Sequence, residues 1–231
     1  MWGIVKQVMK GSTMRMIGLS FIICHLSFSV CACSESEDEA TDEYANWQVR
    51  NEAYFATLED SLSRGGSAWQ KFKSYSKDQQ AAGVNTDYIY VKVLERGSKT
   101  DSPLYTDTVR VSYRGRQIPS VSYPEGKVFD QTYYGTFNWQ TAAVSKGVVS
   151  SYVDGFTTAL LHMHPGDRWR VYIPYQLGYG ENPRSTSSSS ESIPAYSTLI
   201  FDLALVEYWQ PGEKRPVWSS RAEGNRALND K

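Results

Sequence analysis

The feature that most restricts the fold is a strand with an abrupt end, in the sequence RWRVYIPYQLGYG at residues 168–180. Apolar side chains alternate with polar or aromatic ones over residues 168–173, a period of two that is typical of a half-buried β-strand. Pro174 cannot donate to a β-ladder, so we expect the strand to end there. The glycines at 178 and 180 then place Tyr179 in a tight loop at the rim of the sheet, where its role needs an explanation.

The rest of the pattern predicts a mixed domain. Residues 88–94, 108–113 and 199–208 show the same alternation as the first strand. Residues 154–163 instead carry apolar side chains at positions i, i+4 and i+7, which predicts one short helix. The sequence therefore predicts an α+β domain in which a curved antiparallel sheet wraps around that helix.

A helical segment is expected before this domain. Residues 44–62 carry an apolar stripe at helical spacing, made of Trp47, Tyr54, Phe55, Leu58 and Leu62. Two interpretations of the stripe stay open, namely packing against the main domain and a homodimer with a second copy.

A second short helix is expected after the first. Ser67-x-x-Gln70 is the pattern of a capping box, and Trp69 and Phe72 would be the apolar residues of that helix. We therefore expect residues 44–87 to be helical as a whole.

The composition excludes several classes of function. The formal net charge is −1 and no cluster of Lys and Arg stands out, so nucleic acid is not an expected partner. Cys24, Cys31 and Cys33 are the three cysteines of the chain, so the part after residue 33 cannot use a disulfide, a thiolate metal site or a cysteine nucleophile. With three histidines as well, we predict no metal and no cofactor.

The first 33 residues have the pattern of an export signal. Basic residues without an acid precede an apolar run over residues 17–32, which is shorter than a membrane-spanning helix requires. The sequence VCAC at residues 30–33 is similar to a bacterial lipoprotein signal, in which Cys33 would carry the lipid. An ordinary signal peptide cleaved near Ala32 is the alternative.

We expect five parts in the chain. They are a lipoprotein signal peptide (1–33), an acidic flexible tether (34–43), a helical N-terminal segment (44–87), the main domain (88–209) and a polar C-terminal tail (210–231). Within the main domain, residues 116–126 form a long connection, and the serine-rich residues 185–192 are expected to form an exposed, mobile loop.

The order of the segments resembles the FKBP-type peptidyl-prolyl cis-trans isomerases. The resemblance lies in VRVSYRG (109–115), KVFDQT (127–132), YVDGFTTALLHMHPGDRWRVYIP (152–174), LGYG (177–180) and SIPAYSTLIFDLALV (192–206). It covers residues 88–208 and implies the family's antiparallel sheet curled around a short helix, in agreement with the periodicity.

The resemblance also assigns residues to the family's apolar cavity between sheet and helix. The substrate-binding positions that it implies are Phe129, Phe137, Val153, Phe156, Ile193 and Phe201. Phe156 is the expected floor, where the family more commonly has tryptophan, and Phe137 comes from a loop of different length. Without the resemblance, Phe129 and Phe201 would be predicted as core residues, as would Tyr113.

The same resemblance gives catalytic roles to Tyr113, Asp130 and Tyr179. Tyr179 would donate its hydroxyl to a substrate carbonyl, and Ile193 would offer a backbone N–H at the other rim. Asp130 would accept hydrogen bonds at the edge of the cavity, including one from Tyr113. The alternative is that Asp130 and the Gly-Tyr-Gly loop are ordinary turn formers.

The function implied is a peptidyl-prolyl cis-trans isomerase that assists the folding of exported proteins. Its expected partners are unfolded or extended X-Pro polypeptides and the family's macrolide ligands. The lipid anchor implies an outer-membrane lipoprotein of a Gram-negative bacterium, facing the periplasm or the cell surface. The alternatives are a catalytically weak FKBP-fold chaperone or binding module and a surface glycan-binding lipoprotein.

Overall fold

A computed structural model describes residues 42–185 and 192–215. The export signal with Cys33, most of the tether, residues 186–191 of the serine-rich loop and residues 216–231 of the tail lie outside the described residues. The described helices are Trp47–Ala56 (α1), Leu58–Arg64 (α2) and Asp154–His162 (α3). The described strands are Trp69–Lys73 (β1), Tyr88–Glu95 (β2), Thr108–Arg116 (β3), Val128–Gln131 (β4), Ser145–Val148 (β5), Arg168–Ile173 (β6), Arg184–Ser185 (β7), Ser192–Ile193 (β8) and Leu199–Trp209 (β9).

One antiparallel sheet organises the described part of the chain. Its strand order is β1-β2-β6-β9-β3-β4, and β5 pairs with the first half of β3 while β4 pairs with the second half. Strands β7 and β8 form a separate two-stranded ladder. The predicted α+β architecture, an antiparallel sheet with a short helix against it, is confirmed.

Helix α3 packs on one face of the sheet and forms the main core with it. Phe156, Leu160 and Met163 are at most 3% exposed, as the helical spacing predicts. They pack in one cluster with inward residues of β6 and β9, including Val171 and Leu203. Since alternate residues of a strand share a face, the alternation in β6 and β9 is explained by this contact.

Helices α1 and α2 cover the opposite face. Trp47, Phe55 and Leu58 are buried in a second cluster that includes Tyr172 of β6 and Ile200 of β9. The packing interpretation of the stripe is therefore confirmed, and the stripe is not a free surface for a second copy. The stripe also buries Tyr172. Strand β6 is therefore covered on both faces, whereas the sequence predicted a half-buried strand with one covered face.

Two hydrogen bonds fix α1 to the start of β9. The Trp47 indole N–H donates to the Ser197 hydroxyl at 2.8 Å, and the Thr198 backbone N–H donates to the Asn51 carboxamide oxygen at 2.7 Å. All four residues are buried, so leaving any of these polar groups unpaired would be costly. The contact explains why a polar Asn51 lies on the buried side of the helix.

The expected second helix over residues 67–72 is wrong. Trp69–Lys73 form β1, which pairs with β2 from Trp69 opposite Lys92 to Lys73 opposite Tyr88. In a strand, residues three apart point to opposite faces, and here Trp69 stacks on Tyr172 while Phe72 packs with the α3 cluster. The spacing of Trp69 and Phe72 fits a helix as well as a strand, so only the tertiary contacts distinguish these two structures. The sheet therefore begins at residue 69 and not at residue 88.

Candidate active site

A cavity of about 200 Å³ lies between the start of α3 and the strands β3, β4 and β9. It is open on one side to solvent. Nine described residues line it, namely Tyr113, Asp130, Ser151, Tyr152, Val153, Phe156, Tyr179, Arg184 and Phe201. Six of them are positions that the sequence assigned to the cavity, and Ser151, Tyr152 and Arg184 are new.

Aromatic rings form the bottom of the cavity. Phe156 is 3% exposed, and its ring stacks on Tyr152 with the centroids 4.6 Å apart. Phe201 and Tyr113 meet Phe156 edge to face at 5.0 and 5.9 Å. Interlocked rings of this kind attract each other beyond their apolar burial, so the floor is a rigid apolar surface.

The wall beside Phe201 depends on a glycine. A Cβ atom at Gly115 would lie 2.6 Å from the Phe129 ring and 2.7 Å from the Phe201 ring. The absence of a side chain there lets Phe129 pack edge to face against Phe201 at 5.5 Å. Phe129 therefore supports the cavity wall from behind.

The rim carries one charge-assisted hydrogen bond. The Tyr113 hydroxyl donates to Asp130 Oδ2 at 2.8 Å, the contact that the sequence analysis predicted. Burial, followed by this hydrogen bond, raises the pKa of Tyr113 far above its usual value. The hydroxyl therefore stays protonated at neutral pH, and the carboxylate is the acceptor.

The residue after β4 holds this arrangement in place. The Thr132 backbone N–H donates to the Tyr113 carbonyl oxygen at 2.9 Å, and the Tyr113 N–H donates to the Thr132 hydroxyl oxygen at 2.9 Å. Asp130 lies opposite Gly115 in the β3–β4 register. The backbone of both strands thus fixes the distance between the Tyr113 hydroxyl and the carboxylate.

The loop after β6 brings Tyr179 to the cavity. Strand β6 ends at Ile173 before Pro174, as predicted, and the N–H groups of Gly178 and Gly180 donate to the Tyr175 carbonyl oxygen. Gly180 has φ +73°, a left-handed conformation that glycine adopts without strain. The glycine therefore closes the tight loop that holds the Tyr179 ring at the mouth.

The Tyr179 hydroxyl is placed to act as a donor. Its ring is half-buried, and burial raises its pKa, with the positive charge of Arg184 opposing the rise. Within residues 42–185 and 192–215 no hydrogen-bond partner is found for this hydroxyl. The group is therefore protonated at neutral pH and can donate a hydrogen bond.

Arg184 also lines the cavity, and no pattern in the sequence predicts it. It lies in β7, opposite Ile193 of β8, and its guanidinium carbon is 5.7 Å from the centroid of the Tyr179 ring. A lone arginine next to a serine-rich run has no periodicity to mark it. Tyr152, in contrast, had a signal, because an aromatic residue just before a predicted helix start lies beside the residues at that start.

Three predicted substrate-binding residues do not line the cavity. Phe129 lies behind Phe201, and Ile193 is 1% exposed within the α3 core. Phe137 packs instead between Tyr133 and Trp139, with the Arg168 guanidinium 4.7 Å from its ring centroid. The different length of its loop carries Phe137 away, so its assignment to the cavity is corrected here.

The two histidines at the end of α3 make packing and hydrogen-bond contacts. His162 stacks on Phe72 at 4.3 Å, and His164 Nδ1 lies 3.1 Å from the Ser102 hydroxyl oxygen and 3.1 Å from the Asp101 carbonyl oxygen. Among the described residues, no group of three or more His, Cys, Asp or Glu side chains could hold a metal ion.

Comparison with known proteins matches one part of the chain to a family. The sequence profile of the FKBP-type peptidyl-prolyl cis-trans isomerases matches residues 99–206, the stretch that contains the cavity. The matched residues, which make up less than half of the chain, are similar to that family. Proteins of the family bind proline-containing peptides, which fits a cavity with an aromatic floor.

Particular relatives extend the match beyond the domain. The macrophage infectivity potentiator of Trypanosoma cruzi is 27% identical over 192 residues, covering 83% of this chain and 84% of that protein. The outer membrane protein MIP of Legionella longbeachae is 29% identical over 176 residues, or 74% of this chain and 66% of that one. The crystal structure of FkpA from Escherichia coli has a TM-score of 0.49 at 22% identity, covering 72% of this chain and 62% of that one. The chain spans 51% to 58% of the length of several other curated relatives.

Proposed function

We propose that the protein is a peptidyl-prolyl cis-trans isomerase that acts on X-Pro segments of exported proteins. The observation that carries the proposal is the cavity itself, with stacked Tyr152 and Phe156 as its floor and the Tyr113–Asp130 hydrogen bond at its rim. The similarity of residues 99–206 to the FKBP-type family supports the same activity.

An apolar cavity suits this reaction for a physical reason. Rotation about an X-Pro bond has a barrier of roughly 18–20 kcal/mol, because the C–N bond has partial double-bond character. The twisted amide loses this resonance and is less dipolar than either planar state. A dry aromatic surface therefore disfavours the twisted state less than the planar ones, provided that contacts elsewhere bind the segment.

The roles that we propose at the rim are those that the resemblance implies, and the Tyr113–Asp130 hydrogen bond supports them. Tyr179 would donate its hydroxyl to a carbonyl of the substrate, and Ile193 would offer a backbone N–H at the other rim. Asp130, which accepts a hydrogen bond from Tyr113, would accept further hydrogen bonds at the edge of the cavity. Phe156, Val153 and Phe201 would contact the proline ring and the apolar residue before it.

We propose the same division of the chain as the sequence indicates, with the sheet now extended to residue 69. Residues 1–33 would be a lipoprotein signal with Cys33 as the lipidated residue, and the anchored protein would lie in the outer membrane, facing the periplasm or the cell surface. The name of the Legionella relative supports this envelope location. In the described part of the chain, none of the helices has the length and apolar character needed to cross a bilayer.

Two further partners belong to the proposal. The family's macrolide ligands would compete for the cavity, since an apolar ring system can replace the proline on the Phe156 floor. A homodimer would have to use a surface other than the α1–α2 stripe, because that stripe is buried within the chain.

The test is the cis-to-trans rate of a short peptide with an apolar residue before Pro-Phe, measured at several concentrations of the purified protein. A rate that rises linearly with protein and falls on addition of a family macrolide supports the isomerase. A flat rate, together with saturable peptide binding by a well-folded sample, would favour the chaperone or binding module instead. Polysaccharide binding that survives loss of the Phe156 ring would point to the glycan-binding alternative.

A further inference from the structure

The charged groups of the cavity are distributed unevenly. Of the nine described residues that line it, Arg184 is the one cation and Asp130 the one anion. Asp130 comes from β4 and already accepts a hydrogen bond from Tyr113. Arg184 comes from β7, beside Tyr179, so the two charges belong to different walls of the cavity.

Arg184 is available to a ligand. Its side chain is exposed, and none of the ion pairs or hydrogen bonds found between described residues involves it, including any with Asp130. A guanidinium group has five N–H donors in one plane, matched in geometry to a carboxylate. Its ring contact with Tyr179 keeps it at the mouth, where a bound peptide would pass.

We propose that Arg184 is a specificity-determining residue, which favours X-Pro segments that carry a Glu or Asp side chain next to the proline. This inference rests on the proposed function, since it concerns the substrate of the same cavity. A side-chain carboxylate is the anion that such a segment itself supplies. Among the described residues Arg184 forms no ion pair with Asp130, which comes from a different strand, so Arg184 can attract a carboxylate of the substrate.

The expected effect is modest and sensitive to salt. Exposed ion pairs stabilise by about 0.2–1 kcal/mol, which corresponds to a preference of about 1.4- to 5-fold in affinity. Screening shortens the range of the attraction to about 10 Å at 0.1 M salt, so the preference should shrink as ionic strength rises.

The experiment uses the full-length protein and labelled peptides that differ at one residue flanking the proline, with Glu, Gln or Lys in turn at each flanking position. Fluorescence anisotropy gives Kd, and the exchange rate of the X-Pro bond gives kcat/KM. Two variants lose one positive charge each, Arg184→Gln at the cavity and Lys92→Gln as the control. Lys92 follows Val91 of the α3 core, so its side chain lies on the other face of the sheet.

We expect the protein and Lys92→Gln to prefer the Glu peptide over the Gln peptide at one or more positions. Arg184→Gln should abolish the preference, and Arg184→Glu should reverse it towards the Lys peptide. Equal affinities at every position, or a preference that persists in Arg184→Gln, would overturn the inference.

The two proposals can fail separately. Catalysis of the Gln peptide without any preference for Glu would leave the isomerase standing and remove the role of Arg184. A preference for the Glu peptide in Kd without catalysis of any peptide would keep the role of Arg184 and reject the isomerase, because the binding measurement does not depend on turnover. If the protein neither bound nor catalysed any of the peptides, both proposals would be rejected.

Discussion

The Tyr113 hydroxyl and the Asp130 carboxylate lie 2.8 Å apart at the rim of the cavity, one on β3 and the other on β4. The register of the two strands sets this distance, and burial keeps the hydroxyl protonated. The pair therefore presents a fixed acceptor beside an apolar floor.

Replacement of Asp130 by valine should lower activity more than stability. A hydrogen bond to a charged group is worth about 1.5–3 kcal/mol, so we expect kcat/KM to fall by roughly tenfold to a hundredfold. The thermal midpoint should fall only slightly, because Tyr113 and Asp130 are both half-buried and water can reach the Tyr113 hydroxyl once its partner is removed. Tyr113→Phe removes the same hydrogen bond from the other side, and the double variant should be no less active than Asp130→Val if the two residues act together.

Loss of the Tyr179 hydroxyl should have a smaller effect. A single neutral hydrogen bond contributes about 0.5–1.5 kcal/mol, so Tyr179→Phe should reduce kcat/KM by about 2- to 10-fold. The ring and its contact with Arg184 remain, so unfolding by urea should be unchanged. Wild-type activity in both Tyr179→Phe and Asp130→Val would reject the roles assigned to the rim.

A methyl group at Gly115 should disturb the wall of the cavity. Its Cβ would lie within 2.7 Å of the Phe129 and Phe201 rings, so one ring must move. Overpacking of a core costs about 1–3 kcal/mol, and we expect Gly115→Ala to lower the free energy of unfolding by that amount. Since Phe201 lines the cavity, peptide affinity should fall as well. Unchanged stability and affinity would mean that the wall adapts without strain.

Helix α2 should contribute to stability and not to catalysis. Leu58 is 3% exposed against the face of the sheet opposite α3, so Leu58→Ala should destabilise the protein by about 2–5 kcal/mol. At a temperature where the variant is folded, kcat/KM should equal that of the wild type. The midpoint of unfolding should not depend on protein concentration, because the stripe packs within the chain. A dependence on concentration would indicate an interface between copies instead.

His162 should make the protein less stable in acid. Burial against Phe72 and β1 lowers its pKa below the ordinary 6.5, so the folded state favours the neutral ring. The neutral His162 ring contributes fully to the free energy of unfolding above about pH 6.5. This contribution is lost as the pH falls through the lowered pKa. Urea unfolding at pH 7.5 and at pH 5.0 should therefore differ less in His162→Gln than in the wild type. An equal difference in both would assign the acid sensitivity to other groups.

Periodicity predicted helix α3 and the strands β2, β3, β6 and β9, although β3 continues to Arg116, beyond the predicted residue 113. The alternation in β6 and β9 and the spacing in α3 were sufficient, because each of these elements buries one continuous face against the other. Pro174 marked the end of β6 for a local reason, the missing donor. Predictions of this kind need only the neighbours in the chain.

The predictions that failed, and the cavity residue that was missed, depended on contacts between distant residues. Trp69 and Phe72 fit a helix by their spacing, and only the pairing with β2 makes them a strand. Phe137 was assigned by analogy in a loop whose length differs, and it packs with Trp139 instead. Arg184 reaches the cavity through the ladder of β7 with β8, which no local pattern reveals.

The most direct test of the central claim is exchange NMR on an X-Pro peptide at equilibrium, with the protein far below the peptide concentration. The account predicts exchange cross-peaks between the cis and trans forms that appear with the wild type, grow with its concentration and weaken strongly in Asp130→Val. Saturable peptide binding without cross-peaks would contradict it, and the cavity would then be a binding site and not a catalyst.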